Sequence, residues 1–226
     1  MPIEKLHTDL TGTLKGKTWP TGRPRVGFVH CLQAPPKKGL GRELVQWAKS
    51  EGVSPHWVSD PGGAYLWLPT TQQGAHVGGG NPYGVGYEVT GYAEWDRSTW
   101  LAQGMDGLRW QAYCMAVDSE RWGLQLEWGS LAELARAVPK FYTHNDSRLV
   151  FKGTTHYDPS TGYPYDVVMK MANEWRYGAG VKVPNPTPQA PIGSGSGGAE
   201  PATWWQRAAA SYGSLADAIV EAVRAA

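Results

Sequence analysis

Cysteine and phenylalanine are scarce in this chain of 226 residues, with two of the first and three of the second. Cys31 and Cys114 are too few for a disulfide framework. The fold must be held by its core, and the length suffices for one well-buried domain plus an appendage. Charge of one sign is lacking as well. The formal net charge is +1 and the lysines and arginines are scattered rather than gathered in a stripe, so we expect no nucleic-acid partner. No uncharged apolar run reaches the roughly eighteen residues of a membrane span. Met1 to Thr13, with Glu4, Lys5, His7 and Asp9, lacks the apolar centre of a secretion signal; synthesis in a cytoplasm is the expectation, and His7 reads as incidental. The run Gly78-Gly79-Gly80 opens no GxGxxG or Walker pattern, which argues against nucleotide binding.

Tryptophan and tyrosine are abundant instead, twelve and eleven. Such rings pack in a core or, keeping a polar tip, stack on sugar faces. Patterning alternates between strands and helices. Arg25–Leu32 and Val85–Thr90 read as strands, and His56–Ser59 and Ala64–Leu68 as a hairpin around Asp60-Pro61-Gly62-Gly63. Helical spacing runs through Leu40–Ser50, through Asp96–Trp122 with Asp96 or Ser98 as cap, through Ser130–Val138 up to Pro139, and through Tyr165–Trp175. This mixture predicts an α/β domain with a central mixed β-sheet flanked by helices over residues 1–180. The Pro-rich and then Gly/Ser-rich stretch 181–201 reads as a linker. Residues 202–226 carry Trp205, Ala208, Tyr212, Leu215, Ile219 and Ala222 in steps of three and four, an amphipathic C-terminal helix suited to self-association, to packing on the domain or to an envelope contact.

Three residues stand out as metal ligands. His30 ends the apolar run Val26-Gly27-Phe28-Val29-His30, His144 opens His144-Asn145-Asp146, and Asp158 lies in Thr154-Thr155-His156-Tyr157-Asp158-Pro159. Together they offer two nitrogens and one oxygen, the kind of set that holds a catalytic zinc and leaves one position open. Taken singly, each is also readable as a satisfied polar loop residue. Cys31 adjoins His30, but alternate residues of a strand face opposite ways.

The order of that strand-end histidine, the block Ser54-Pro55-His56-Trp57-Val58-Ser59-Asp60-Pro61-Gly62-Gly63, the block Gly74-Ala75-His76-Val77-Gly78-Gly79 with Val85-Gly86-Tyr87-Glu88-Val89, and the His144 to Pro159 segment resembles the zinc-dependent N-acetylmuramoyl-L-alanine amidases of the type-2 amidase and peptidoglycan-recognition superfamily. The likeness runs roughly from Arg25 to Trp175. It is strongest to the phage endolysin branch, whose HND…TTHxDP…PxD segment stands here as His144-Asn145-Asp146, Thr154 to Pro159, and Pro164-Tyr165-Asp166.

The resemblance implies zinc as cofactor on His30, His144 and Asp158, bacterial peptidoglycan as partner, and His156 as the group that stabilises the oxyanion. It implies synthesis in the cytoplasm of a host bacterium and release to the wall by a holin or by lysis. Pro55 stands where some members place a tyrosine, which leaves the general base open. Glu88 lies in the segment similar to the family's G-I-E strand and is the catalytic carboxylate we name, with Glu51 and Tyr65 as nearby candidates. His56 and His76 are expected to line the substrate groove. The same features also suit a binding-only recognition module, or a zinc hydrolase of another muropeptide amide.

Overall fold

Two short strands, Thr8–Asp9 (β1) and Lys17–Thr18 (β2), precede the central strand Val26–Cys31 (β3) in the computed structural model, which describes residues 5–178. The expected linker at 181–201 and helix at 202–226 lie outside the described residues. After β3 come Leu40–Glu43 (α1) and Val45–Ser50 (α2), then Trp57–Asp60 (β4), Gly63–Leu66 (β5), Gln72–Gln73 (β6) and Gly84–Val89 (β7). Arg97–Thr99 (α3) leads through a π-helical turn, Trp100–Gly104, into Met105–Trp122 (α4); Leu131–Ala135 (α5), Phe141–Thr143 (β8), His144–Val150 (α6) and Tyr165–Tyr177 (α7) complete the order.

Six strands form one sheet in the order β1-β5-β4-β7-β3-β8, and β2 pairs with β6 in a separate antiparallel ribbon. β4, β7, β3 and β8 run parallel; β5 turns back on β4 through Pro61-Gly62, and β1 follows β5. The expected mixed sheet flanked by helices is the one found. Asp60 secures the hairpin, accepting from the Gly62 N–H at 2.6 Å and from the Gly41 N–H of α1 at 2.8 Å.

Every residue of β3 and β7 is buried, as expected of strands covered on both faces. Alternation divides them. Val29, Cys31, Trp57, Tyr87 and Val89 belong to a core with Leu108, Ala112 and Met115 of α4 and Val168, Met169 and Ala172 of α7. Val26 and Phe28 face the other way, into a smaller cluster with Val77, Leu134 and Tyr142. His30 and Glu88 share that second face because they are register partners across β3 and β7.

Local signals placed most boundaries. Asp96 caps α3, Ser130 and Glu133 form a capping box on α5, and Gly123 ends α4 at φ 71°. The helix expected over Leu40–Ser50 is broken at Leu44, and the one expected over Ser130–Val138 stops at Ala135. β8 and α6 were not anticipated. In α6, Thr143 accepts from the Asp146 N–H while Asp146 accepts from the Thr143 N–H, a capping box that uses the motif's first carboxylate for structure. Asp166 of the same motif holds Arg97 through two bonds at 2.6 and 2.9 Å. Nor is His7 incidental: its ring meets Trp57 edge-on at 4.8 Å and its Nδ1 lies 3.1 Å from the Tyr113 hydroxyl.

One buried carboxyl in the large core makes stability pH-dependent. Asp118 is fully buried, accepts from Trp57 Nε1 at 2.6 Å and from the Tyr87 hydroxyl at 2.9 Å through Oδ2, and has no partner for Oδ1 among the described residues. Burial pushes its pKa up to about 6, against the pull of those bonds. The folded state therefore holds the proton more tightly than the unfolded one, so stability from this group is full below about 4 and falls as pH rises through 6. The loss is about 3 kcal/mol for a shift of about two units. Asp118→Asn keeps an acceptor for both donors and removes the charge; its melting temperature should exceed that of wild type at pH 8, and the gap should close toward pH 4. A gap that is constant across this range would refute the assignment.

Candidate metal centre

Three elements deliver the central side chains. β3 brings His30, the first turn of α6 brings His144 one residue beyond the pair Val29 and Thr143, and the loop before α7 brings Asp158. All three are buried, and their ligand atoms lie within 4.8 Å of one another. His30 Nδ1 is 2.9 Å from His144 Nδ1 and 3.7 Å from Asp158 Oδ2, and His144 Nδ1 is 3.2 Å from Asp158 Oδ1. Four-coordinate zinc with bonds of about 2.0–2.2 Å sets its donors roughly 3.3 Å apart, so these separations and this N, N, O set fit such an ion.

The loop is held where the ligands need it. The Cys31 N–H donates to Asp158 Oδ2 at 2.9 Å, and the Asn145 N–H to the Asp158 carbonyl at 3.3 Å. Cys31 itself is turned into the core, as alternation predicts. Burial drives the Asp158 pKa up, but His144, the Cys31 N–H and His156 outweigh it and keep the carboxyl below its ordinary range. It is thus poised as an anion. Burial, with His144 and the other imidazoles around it, holds His30 well below the usual histidine range, in its neutral, ligating form.

Glu88 sits beside the trio, 5% exposed, with Oε1 3.9 Å from His30 Nδ1 and Oε2 without a partner among the described residues. Burial and then the nearby Asp158 raise its pKa well above the carboxylate norm. The other carboxylate and phenol near it in sequence go elsewhere: Glu51 is exposed at the end of α2, and Tyr65 packs below Gly41 near Asp60. His156 stacks on His144 at 4.8 Å, and its Nδ1 lies 3.8 Å from Asp158 Oδ1. Burial, reinforced by His144 and opposed by Asp158, brings it down to about 4, so it acts as a neutral imidazole at neutral pH.

The two groove histidines have other places. His56 is fully buried, accepts from the Gly86 N–H through Nδ1 at 2.9 Å and has Nε2 2.8 Å from the Gln72 carbonyl. Both ring nitrogens are used on backbone, its ring stacks on Trp19, and burial lowers its pKa to about 4. The structure places His56 as a brace of β4 against β7, where a substrate contact was expected. His76 points at the centre from behind, with Nδ1 3.1 Å from His30 Nε2 and Nε2 3.0 Å from the Gly84 carbonyl. Its position is against His30, where a groove contact was expected.

Two features escaped sequence reading. Thr154 Oγ1 lies 3.0 Å from His144 Nε2 and accepts from the His156 N–H at 3.2 Å; the only sign was a hydroxyl two residues before His156. Gly78–Gly80 form a short turn pressed on the segment carrying the site. A Cβ on Gly78 would stand 2.4 Å from the Gly153 carbonyl oxygen, at φ 61°, and one on Gly79 would stand 2.4 Å from that of Phe151. Gly79 also donates to the Lys152 carbonyl at 3.1 Å. Among the described residues no helix is long and apolar enough to cross a membrane.

No protein-family model and no curated protein matches the chain. Solved structures do. Staphylococcus aureus hydrolase AmiA, in complex with its ligand, matches with a TM-score of 0.61 and 19% identity over 78% of this chain and 85% of that one. The Ph2119 endolysin of a Thermus scotoductus MAT2119 bacteriophage matches at a TM-score of 0.46 and 12% identity over 73% and 98%. The N-acetylmuramoyl-L-alanine amidase LysC of Clostridium intestinale URNW matches at 0.44 and 14% over 71% and 94%. The six-stranded mixed sheet with its flanking helices is thus the fold of the hydrolase AmiA, and on this fold the chain assembles a buried His30, His144, Asp158 centre next to Glu88 and His156.

Proposed function

We propose that this chain is a zinc-dependent peptidoglycan hydrolase that cleaves the amide between N-acetylmuramic acid and L-alanine, and that it serves as an endolysin made in the host cytoplasm. The observation that carries the reading is Glu88: a buried carboxyl with a raised pKa and an oxygen that has no partner among the described residues, set beside three converging groups that could hold a metal. A structural carboxylate would be paired. The ordered motifs from His30 to Pro159 support the substrate class, and the fold shared with the hydrolase AmiA is consistent with it.

Zinc on His30, His144 and Asp158 would activate water and polarise an amide carbonyl near neutral pH. Glu88 takes the proton of the water as its oxygen bonds to the carbonyl carbon. It returns that proton to the L-alanine nitrogen as the C–N bond breaks, and a raised pKa suits a group that must both take and give. His156 donates a hydrogen bond to the carbonyl oxygen as charge develops there. Tyr157, between His156 and Asp158, is 59% exposed and sets an aromatic face beside the centre. The tail beyond Ala202 acts, in this reading, as a tethered second contact that raises the local concentration of the domain at an insoluble polymer.

Mass spectrometry of digested cell walls tests the function. The expected products are peptides with a free L-alanine amino terminus and glycan that keeps its lactyl groups, formed with zinc and suppressed by a chelator. Cleavage within the glycan or within the stem peptide would overturn the assignment. Run in parallel on soluble muropeptides, a chain ending at Gly180 should equal the full chain there and fall behind it only on intact walls; equal action on both substrates removes the tail from the mechanism.

A further inference from the structure

The proton positions in this centre are set from outside it. A carbonyl oxygen only accepts, so the 3.0 Å contact between His76 Nε2 and the Gly84 carbonyl places the His76 proton on Nε2. A neutral imidazole with its proton there has a lone pair on Nδ1. That lone pair is 3.1 Å from His30 Nε2, which must then be the donor, and the lone pair of His30 is left on Nδ1, the atom that faces His144 Nδ1 and Asp158. One backbone carbonyl therefore decides, through two rings, which nitrogen of His30 can bind a cation.

Resting on the zinc reading above, we propose that His76 is a positioning residue which, through the relay His30 to His76 to the Gly84 carbonyl, locks His30 in the tautomer and ring orientation that present Nδ1 to the metal.

Three further features support this role. Gly86 is bare where the His76 ring lies: a Cβ there would stand 2.6 Å from His76 Nδ1, so the strand leaves space for the ring. The ring is also aimed from its own backbone, since the His76 N–H donates to Asn81 Oδ1 at 2.9 Å and the next N–H, that of Val77, to the same oxygen at 2.8 Å. The contrast with the second histidine ligand is informative. His144 Nε2 meets the Thr154 hydroxyl, a group that donates or accepts, so that partner holds the ring without dictating its proton. Between the two, only His30 has the role of its outer ring nitrogen set through a chain that ends on a backbone carbonyl. Removing the partner that fixes a ligand's other ring nitrogen typically lowers metal affinity by about 10–100-fold.

Two substitutions separate this role from simple packing. His76→Phe keeps a ring of similar size and loses the acceptor; His76→Asn loses the ring but places an amide oxygen near the position of Nδ1. Zinc affinity by chelator competition should fall about 10–100-fold in His76→Phe and recover to within about threefold of wild type in His76→Asn. On the zinc-free wild-type protein, nitrogen NMR of the imidazoles should find the His30 proton on Nε2, and in His76→Phe the two tautomers should mix. Zinc binding by His76→Phe within about twofold of wild type, or a wild-type His30 with its proton on Nδ1, would overturn the proposal. Wild-type protein that binds no zinc would instead overturn the metal reading, and the NMR result on the zinc-free chain would still decide the tautomer.

Discussion

Replacing His144 by alanine is expected to strip the centre of zinc and reduce amide hydrolysis to background. Wild type should carry about one zinc per chain, and the variant less than about a tenth of that, because two of three protein ligands cannot hold a catalytic ion against dilution. The loss is local. His144 is the first residue of α6, but the helix is capped by Thr143 and Asp146, whose reciprocal bonds do not involve its ring. Phe28 and Val77 also belong to the cluster behind the site and remain in place. The fold should therefore survive, with far-ultraviolet circular dichroism unchanged. Metal analysis showing equal zinc in the two proteins would remove His144 from the ligand set.

Glu88→Gln should have the converse signature: zinc retained, turnover down by about 10²–10⁴, the range for a positioned general base or acid. Glutamine keeps the shape and a hydrogen-bonding oxygen but cannot accept the water's proton. The predicted loss follows from the setting of Glu88, buried at the register position opposite His30 with one oxygen that has no partner among the described residues. His156→Ala, which removes a donor next to the ligands, should also keep zinc and lose roughly a hundredfold or more. The two variants differ in pH response, because only the first deletes a group that gains and loses a proton in the cycle. A Glu88→Gln protein with near-normal turnover would transfer the base to another residue, and zinc lost with His156 would make that histidine a ligand.

Much of the architecture was legible because its signals are local. The run at Val26–Cys31, the turn at Pro61-Gly62, the cap at Asp96 and the periodicity over Met105–Trp122 each act within a few residues, where steric limits and short hydrogen-bonded rings operate. Where the pattern misled, a longer-range contact was in control. β8 has three residues and stands as a strand because β3 lies on one side of it and the segment at Trp128 on the other. Asp146 looked like part of a chemical motif and is instead the capping acid of α6.

The same division runs through the site. Sequence by itself determined the residue types and their order: a strand-end histidine, a second histidine in the His144-Asn145-Asp146 segment, and an acid before proline, which become candidate ligands through their order and not through any one of them. Which way each ring faces was decided by tertiary structure. His30 and His144 are 114 residues apart, His30 and His76 are 46 apart, and His56 is fixed from Gly86, 30 residues on. An imidazole has two nitrogens that sequence cannot tell apart, and the partners that distinguish them, the Gly84 carbonyl, the Thr154 hydroxyl and the Gly86 N–H, are brought to the rings only when the sheet aligns β3, β4 and β7 and the glycine turn presses the loop against them. Ligand identity is a property of the side chain, whereas protonation site and aim are properties of its surroundings.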